Sequence, residues 1–140
     1  MVKKQKEEKK VVITIGKRKK AIARAVFKPG DGKITINTKP LEFFNNEIIR
    51  LKMQEPAIIA GDVIKAWNIS VNVKGGGMMG QAEAVRQAIA KGLVEINPEL
   101  KRRFLDYDRS LLIADARRTE PRKPPHSSWG ARRYKQRSKR

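Results

Sequence analysis

The chain has 140 residues, with 33 Lys and Arg against 14 Asp and Glu, a formal net charge of +19 and a pI near 10.7. That length suffices for one domain, and the charge selects polyanionic partners, either nucleic acid or an anionic membrane surface. Without Cys there is no disulfide framework, thiolate metal site or Cys nucleophile, the single His126 cannot build a metal cluster, and no apolar run reaches the about 20 residues of a membrane span or has the pattern of a secretory leader, so a soluble intracellular protein is expected.

Residues 1–10 mix five Lys with Glu7 and Glu8, unlike an acid-poor transit peptide, and read as a flexible N-terminal arm. Next, Val11, Ile13 and Ile15 alternate with Val12 and Thr14. The interruption Gly16-Lys17-Arg18-Lys19-Lys20 and the run from Ala21 to Phe27 then predict two strands joined by a basic turn. Pro29-Gly30-Asp31-Gly32 is a strong turn signal and predicts a hairpin into a third strand around Ile34 and Ile36. Leu41, Phe44, Ile48 and Leu51 share one face of a 3.6-residue period. Pro56 opens a further stretch with Ile59, Val63 and Ile64, so two helices are expected.

Trp67, Ile69, Val71 and Val73 then alternate with Asn68, Ser70, Asn72 and Lys74, the pattern of a half-buried strand. Gly75-Gly76-Gly77-Met78-Met79-Gly80 leads into a helix striped by Val85, Ala88, Ile89, Gly92, Leu93 and Ile96. Asn97-Pro98-Glu99 supplies an N-cap, a first helical Pro and a first-turn acid for a short helix carrying Leu100, Phe104 and Leu105. Residues 11–112 therefore read as a globular α+β domain, with helices packed on one face of a four-stranded sheet.

Charge is unevenly spread: residues 1–10 carry +3, residues 11–112 carry +8, and residues 113–140 carry +8 in little more than a quarter of the domain's length. From Ala114 onward there is no Val, Ile, Leu, Met or Phe, and Pro121, Pro124 and Pro125 oppose helix formation. Ordering this stretch would cost roughly 1–2 kcal/mol per residue in backbone entropy with little apolar burial to offset it. It reads as an extended basic tail, disordered alone, that orders against dense phosphates and spans about 90 Å at full extension.

The glycine loop admits two readings, a tight turn with close helix packing or backbone amides presented to an RNA phosphate. It lacks the Gly-Lys-Ser/Thr ending of a nucleotide P-loop. Lys17 to Lys20 concentrate four cations at a turn and read as phosphate contacts. Asp106 and Asp108 lie beside Lys101, Arg102, Arg103 and Arg109 and read as local charge balance rather than an acid–base pair. His126 has no orienting partner in sequence and reads as a loop residue or a base-stacking contact rather than a catalytic base, whereas Trp129 and Tyr134 have no core to enter, so stacking on bases or sugars is the natural use of these two aromatics.

Several of these stretches together are familiar. Gly16-Lys17-Arg18-Lys19-Lys20-Ala21-Ile22-Ala23-Arg24-Ala25, Val73-Lys74-Gly75-Gly76-Gly77 with Gly80-Gln81-Ala82, Asp115-Ala116-Arg117-Arg118-Thr119-Glu120 and the terminal Ser138-Lys139-Arg140 resemble the ninth family of universal small-subunit ribosomal proteins. The Arg-Arg-Thr-Glu-Pro stretch resembles its archaeal and eukaryotic branch. The resemblance implies a fold like the second domain of the fifth small-subunit protein, with a left-handed β-α-β unit that departs from the usual handedness. It also implies a non-enzymatic, cytoplasmic component of the small subunit with no cofactor, metal or membrane partner. Such a protein binds small-subunit ribosomal RNA in the head, beside neighbouring head proteins, and sends its tail to peptidyl-site tRNA. On residues and resemblance together, the ribosomal RNA contacts are Lys17, Arg18, Lys19, Lys20, Lys74, Gly75, Gly76, Gly77, Gly80, Gln81, Arg117, Arg118, Arg122, Lys123, Arg132, Arg133, Tyr134, Lys135 and Arg137, and the tRNA contacts are Ser138, Lys139 and Arg140.

Overall fold

In the computed structural model, which describes residues 11–119, strand β1 (Val12–Arg18) turns at Lys19-Lys20 into β2 (Ala21–Pro29). The register sets Val12 opposite Phe27 and Gly16 opposite Ala23. Short strands β3 (Ile34–Ile36) and β4 (Lys39–Pro40) follow, then helix α1 (Glu47–Ala60), strand β5 (Trp67–Lys74), helix α2 (Met78–Ile96) and helix α3 (Leu100–Tyr107). Three-residue helical turns at Leu41–Phe43 and Arg109–Leu111 and a longer one at Gly61–Ala66 link them.

The sheet has five strands in the order β1-β2-β5-β3-β4, one more than the four expected, because the two residues of β4 fold back on β3. The predicted hairpin from β2 to β3 does not form either. Strand β5 lies between them, antiparallel to β2 and parallel to β3. The Pro29–Gly32 turn instead closes on β5, where Asn68 Oδ1 accepts the backbone N–H groups of Asp31 at 2.9 Å and Lys33 at 3.1 Å. Asn37, at φ 47°, extends the parallel ladder with its side chain: Oδ1 accepts from Val73 N at 2.9 Å and Nδ2 donates to the Val73 carbonyl at 3.1 Å.

One helix stands where two were expected. Asn46 caps α1 by accepting from the N–H groups of Ile48 and Ile49. The helix continues through Pro56, whose ring is buried on the core face with Ile49, Met53 and Ala60. Burial outweighs the one missing N–H. In α3, Leu100 and Phe104 are buried as expected, whereas Leu105 faces solvent.

Burial alternates along every long strand, and one sheet face packs on the helices: Val12, Thr14 and Gly16, then Ala21, Ala23, Ala25 and Phe27, then Ile69, Val71 and Val73. The inward residues of β1 and β2 are mostly small, while the bulky Ile13 and Ile15 are 65% and 44% exposed on the opposite face. Small residues are needed inside because α2 lies almost in contact with the backbone of β1. A Cβ added to Gly16 would sit 2.0 Å from the Ala84 carbonyl oxygen and 2.6 Å from Ala88 N. Thr14 Oγ1 donates to the Ala88 carbonyl at 2.7 Å, satisfying a buried hydroxyl at the same contact. At the far end of β2, the Phe27 ring fills the space a side chain at Gly92 would occupy.

Gly16→Ala should therefore lower unfolding free energy by about 1–3 kcal/mol, the usual cost of overpacking a well-filled core, because backbone rather than a movable side chain blocks the new methyl. Denaturant titration of the full chain measures it, and a wild-type midpoint would contradict the close approach.

Candidate nucleic-acid interface

The β1–β2 turn, the loop between β5 and α2, and residues 115–118 meet at one end of the sheet. Lys17, Lys19 and Lys20 are exposed there, with Lys19 in the left-handed region at φ 54°. Lys74 is directly across from Ile22 in the β2–β5 register, so its ammonium group rises from the same end of the open face.

Gly75 and Gly76 adopt φ 79° and 67°. A Cβ at Gly75 would lie 2.5 Å from the Lys20 carbonyl oxygen, and one at Gly76 would lie 3.1 Å from Ala21 N. These two glycines are demanded by the turn and by its contact with the lysine hairpin. Gly77 is different. It caps α2 with nothing within 4 Å of a would-be side chain, and Gly80 meets nothing closer than 3.7 Å. Gln81 Nε2 donates to the Gly75 carbonyl at 3.1 Å and holds the loop against the first turn of the helix. The tight-turn reading thus accounts for the first two glycines and leaves the loop's outer side, Gly77 and the start of α2, open to solvent.

Arg18 belongs to the same end but turns inward. Its Nε donates to Glu83 Oε2 at 2.6 Å, and its Nη1 is 2.9 Å from Asp115 Oδ2. The latter is an ion pair without hydrogen-bond alignment, and Nη1 has no other partner. Lys52 of α1 donates to the other Glu83 oxygen at 3.0 Å. Asp115 in turn accepts from the backbone N–H of Arg117 at 2.9 Å and from its Nη2 at 2.7 Å. Residues 113–119 form no helix or strand, yet this pair fastens Asp115 to β1, so the body keeps its hold past the boundary expected at residue 112. Arg117 and Arg118 remain exposed.

Deeper in the same polar depression, buried Arg86 of α2 bridges three elements. Nη1 reaches Glu55 of α1 at 2.6 Å, and Nη2 reaches Asp108 at 2.5 Å and Ser110 Oγ at 2.6 Å. Asp108, expected to balance its sequence neighbours, instead pairs with α2 and caps the following turn by accepting from Ser110 N. Burial pushes the Asp108 carboxyl up, but hydrogen bonds from Ser110 and Arg86 together outweigh it and leave the group below its ordinary range. Glu83 shows the same balance: burial raises it, Arg18 and Lys52 bring it down, and the net is a lowered value. Hydrogen bonds from Arg117, with the Arg18 charge added, hold Asp115 well below the usual carboxylate range. Each carboxylate of the depression is answered by a cation.

The structure thus brings together Lys17, Lys19, Lys20, Lys74, Gly75, Gly76, Gly77, Gly80, Gln81 and, through Asp115, Arg117 and Arg118, with Arg18 engaged internally. It adds two cations that are not among the expected contacts. Arg24 and Lys28 are exposed on the open sheet face, Arg24 opposite Asn72 and Lys28 opposite Asn68. The period-2 alternation of β2, with Ala21, Ala23 and Ala25 inward, carried that signal. Arg122, Lys123, Arg132, Arg133, Tyr134, Lys135, Arg137, Ser138, Lys139 and Arg140 lie outside the described residues, as do the 1–10 arm, His126 and Trp129. Among the described residues no helix is long and apolar enough to cross a membrane, and no group of three His, Asp or Glu side chains is placed to hold a metal.

Residues 16–140 match the family described as Ribosomal protein S9/S16. The chain belongs to that family. Among relatives, the small ribosomal subunit protein uS9 of Methanococcus maripaludis strain C5 is 51% identical over 131 residues, covering 92% of this chain and 98% of the relative. The protein of the same description from Methanococcus vannielii is 50% identical with the same coverage. These relatives are archaeal, in keeping with the Arg-Arg-Thr-Glu-Pro stretch. The S9/S16 family is structural and non-enzymatic, and the paired carboxylates of the depression accordingly serve to join β1, α1, α2 and the segment after α3.

Their depressed values give the domain an acid limit. Glu83 contributes stability that is fully present above its ordinary value of 4.5 and is lost as pH falls through the lower folded value, and the two aspartates behave alike below 3.8. Glu83→Gln should lower the melting temperature at pH 7 and flatten its decline from about pH 5 downward. Thermal unfolding across pH tests this, and a variant curve parallel to wild type would refute it.

Proposed function

We propose that this protein is a structural constituent of the cytoplasmic small ribosomal subunit whose body binds ribosomal RNA in the head through the lysine turn, the glycine loop and the root of the tail, and whose C-terminal residues extend to peptidyl-site tRNA. The observation that supports it best is the convergence of exposed Lys17, Lys19, Lys20 and Lys74 on a glycine-shaped loop at the end of the sheet from which residues 115–119 depart. Phosphates are contacted there by ammonium groups and by the unpaired N–H groups at the start of α2. Arg24 and Lys28 extend this basic surface along the open sheet face, and Arg117 and Arg118 carry it toward the tail.

Arg18 takes the part of an organiser in this reading. Joined to Glu83 and Asp115, it aims the tail rather than touching phosphate. Arg122, Lys123, Arg132, Arg133, Lys135 and Arg137 then neutralise phosphates along the tail's path, Tyr134 stacks, and Ser138, Lys139 and Arg140 meet the tRNA. Neighbouring head proteins complete its surroundings. The crossover from β3 through α1 to β5 is, in this reading, the left-handed β-α-β unit.

Replacing Lys17, Lys19 and Lys20 together by Gln in the full chain should weaken binding to small-subunit ribosomal RNA and reduce the log–log salt slope by about 2 to 3, at roughly 0.7–0.9 for each phosphate that is no longer neutralised. Filter binding from low to moderate salt measures the slope, and an unchanged value would sink the assignment. Replacing Lys139 and Arg140 by Ala should leave assembly intact and speed tRNA dissociation from the peptidyl site of purified subunits. Equal dissociation rates would remove the tail tip from the tRNA.

A further inference from the structure

At the sheet edge opposite β1, the molecule has a different chemistry. Strands β3 and β4, α1 and the turns flanking it enclose an open groove of about 800 Å³, lined by Lys33, Pro40, Phe43, Gln54, Ile58 and Ile64 among others. Phe43 is 73% exposed and Ile58 69%. Leu51, also exposed, lies seven residues before Ile58, two helical turns along the same outer face of α1, and exposed Ile48 stands one turn before it. An apolar ridge beside an apolar groove marks an interaction surface rather than scattered surface residues.

The charge around it is equally distinct. In a chain of net +19, the segment from Leu41 to Ile64 holds Glu42, Glu47, Glu55 and Asp62 against Arg50 and Lys52, a net −2. Lys52 is engaged with Glu83, Glu55 with Arg86 and Asp62 with Lys65. Glu42 and Glu47 are exposed and, among the described residues, form no ion pair. With Asp31 and Glu42 set against Lys33 in its lining and Lys39 on neighbouring β4, the groove lacks the cation excess that a phosphate backbone requires, whereas a polypeptide bearing an apolar side chain and a cation complements the apolar ridge and the two free carboxylates.

We propose that the groove and the outer face of α1 form a docking surface for a segment of a second protein, which sets an apolar side chain beside Phe43 and Ile58 and a Lys or Arg against Glu42 or Glu47. The inference rests on the reading of this chain as a small-subunit component and deepens it: one end of the fold takes RNA, and the opposite edge takes polypeptide.

The test uses full-length protein with p-benzoyl-phenylalanine replacing Ile58 or, in a parallel preparation, Lys20, assembled into small subunits and irradiated. The expected product from position 58 is a covalent link to another protein, at a stretch where an apolar residue lies within a few positions of Lys or Arg. Phe43→Asp, at a solvent-facing position, should cut its yield about tenfold, as loss of a central aromatic anchor does, and Glu42→Lys should lower it in the same direction. Links from position 58 to RNA, to a second copy of this chain, to the same chain or to an acidic segment, or no link at all, would overturn the docking surface. Position 20 reports separately. RNA is its expected product, and its failure to label RNA would strike the proposed RNA end whatever position 58 yields.

Discussion

Helix α2 rests so closely on β1 that backbone atoms of Ala84 and Ala88 occupy the space a side chain at Gly16 would need. The small inward residues of β1 and β2, the hydroxyl of Thr14 bonded into the helix, and Gly92 beneath the Phe27 ring all belong to that one contact. Its consequence reaches the interface. With α2 held at this depth, its first turn stands beside the lysine hairpin, Gly75 and Gly76 must take positive φ to connect β5 to it, and Glu83 faces Arg18 across the junction.

Charge is divided by role as well as by sign. The exposed lysines of the basic end have no carboxylate partner among the described residues, which leaves their charge available to phosphate. Arg18 and Arg86, by contrast, are turned inward onto Glu83, Asp115, Glu55 and Asp108. Such partly buried pairs matter chiefly because breaking one leaves an uncompensated charge. They hold α1, α2 and the segment after α3 in one arrangement, and the exposed Lys17, Lys19, Lys20 and Lys74 stand apart from them at one end of the sheet. The groove beside α1, where Asp31 and Glu42 meet Lys33, keeps apolar side chains exposed.

Much of this is legible in the order of residues alone. The strand around Trp67–Val73 and the striped helix after the glycine loop are written in periods of two and 3.6, and both form, although the helix starts at Met78 inside the stretch read as loop, because Gly77 already serves as its N-cap. The lysine turn and the glycine loop are visible as motifs. Where the fold goes beyond local pattern, the causes are physical. A strong turn signal at Pro29–Gly32 implies that the chain reverses, not which strand it will pair with, and β5 won the place beside β2. Pro56 weakens a helix by one hydrogen bond, which core burial of its own ring overrode. Arg18 is one cation among four in sequence, and only the arrival of Glu83 and Asp115 from 65 and 97 residues later turned it inward.

By itself, then, the sequence determined a preference for polyanions and the kind of elements, because charge and hydrophobic period are properties the chain carries before it folds. Tertiary structure decided which lysines stay free, which arginines become internal fasteners, which β1 face is buried, and where the apolar groove opens. Those outcomes depend on the separation of two backbones at Gly16 and on ion pairs between residues distant in sequence, and neither quantity exists until the sheet and helices have packed.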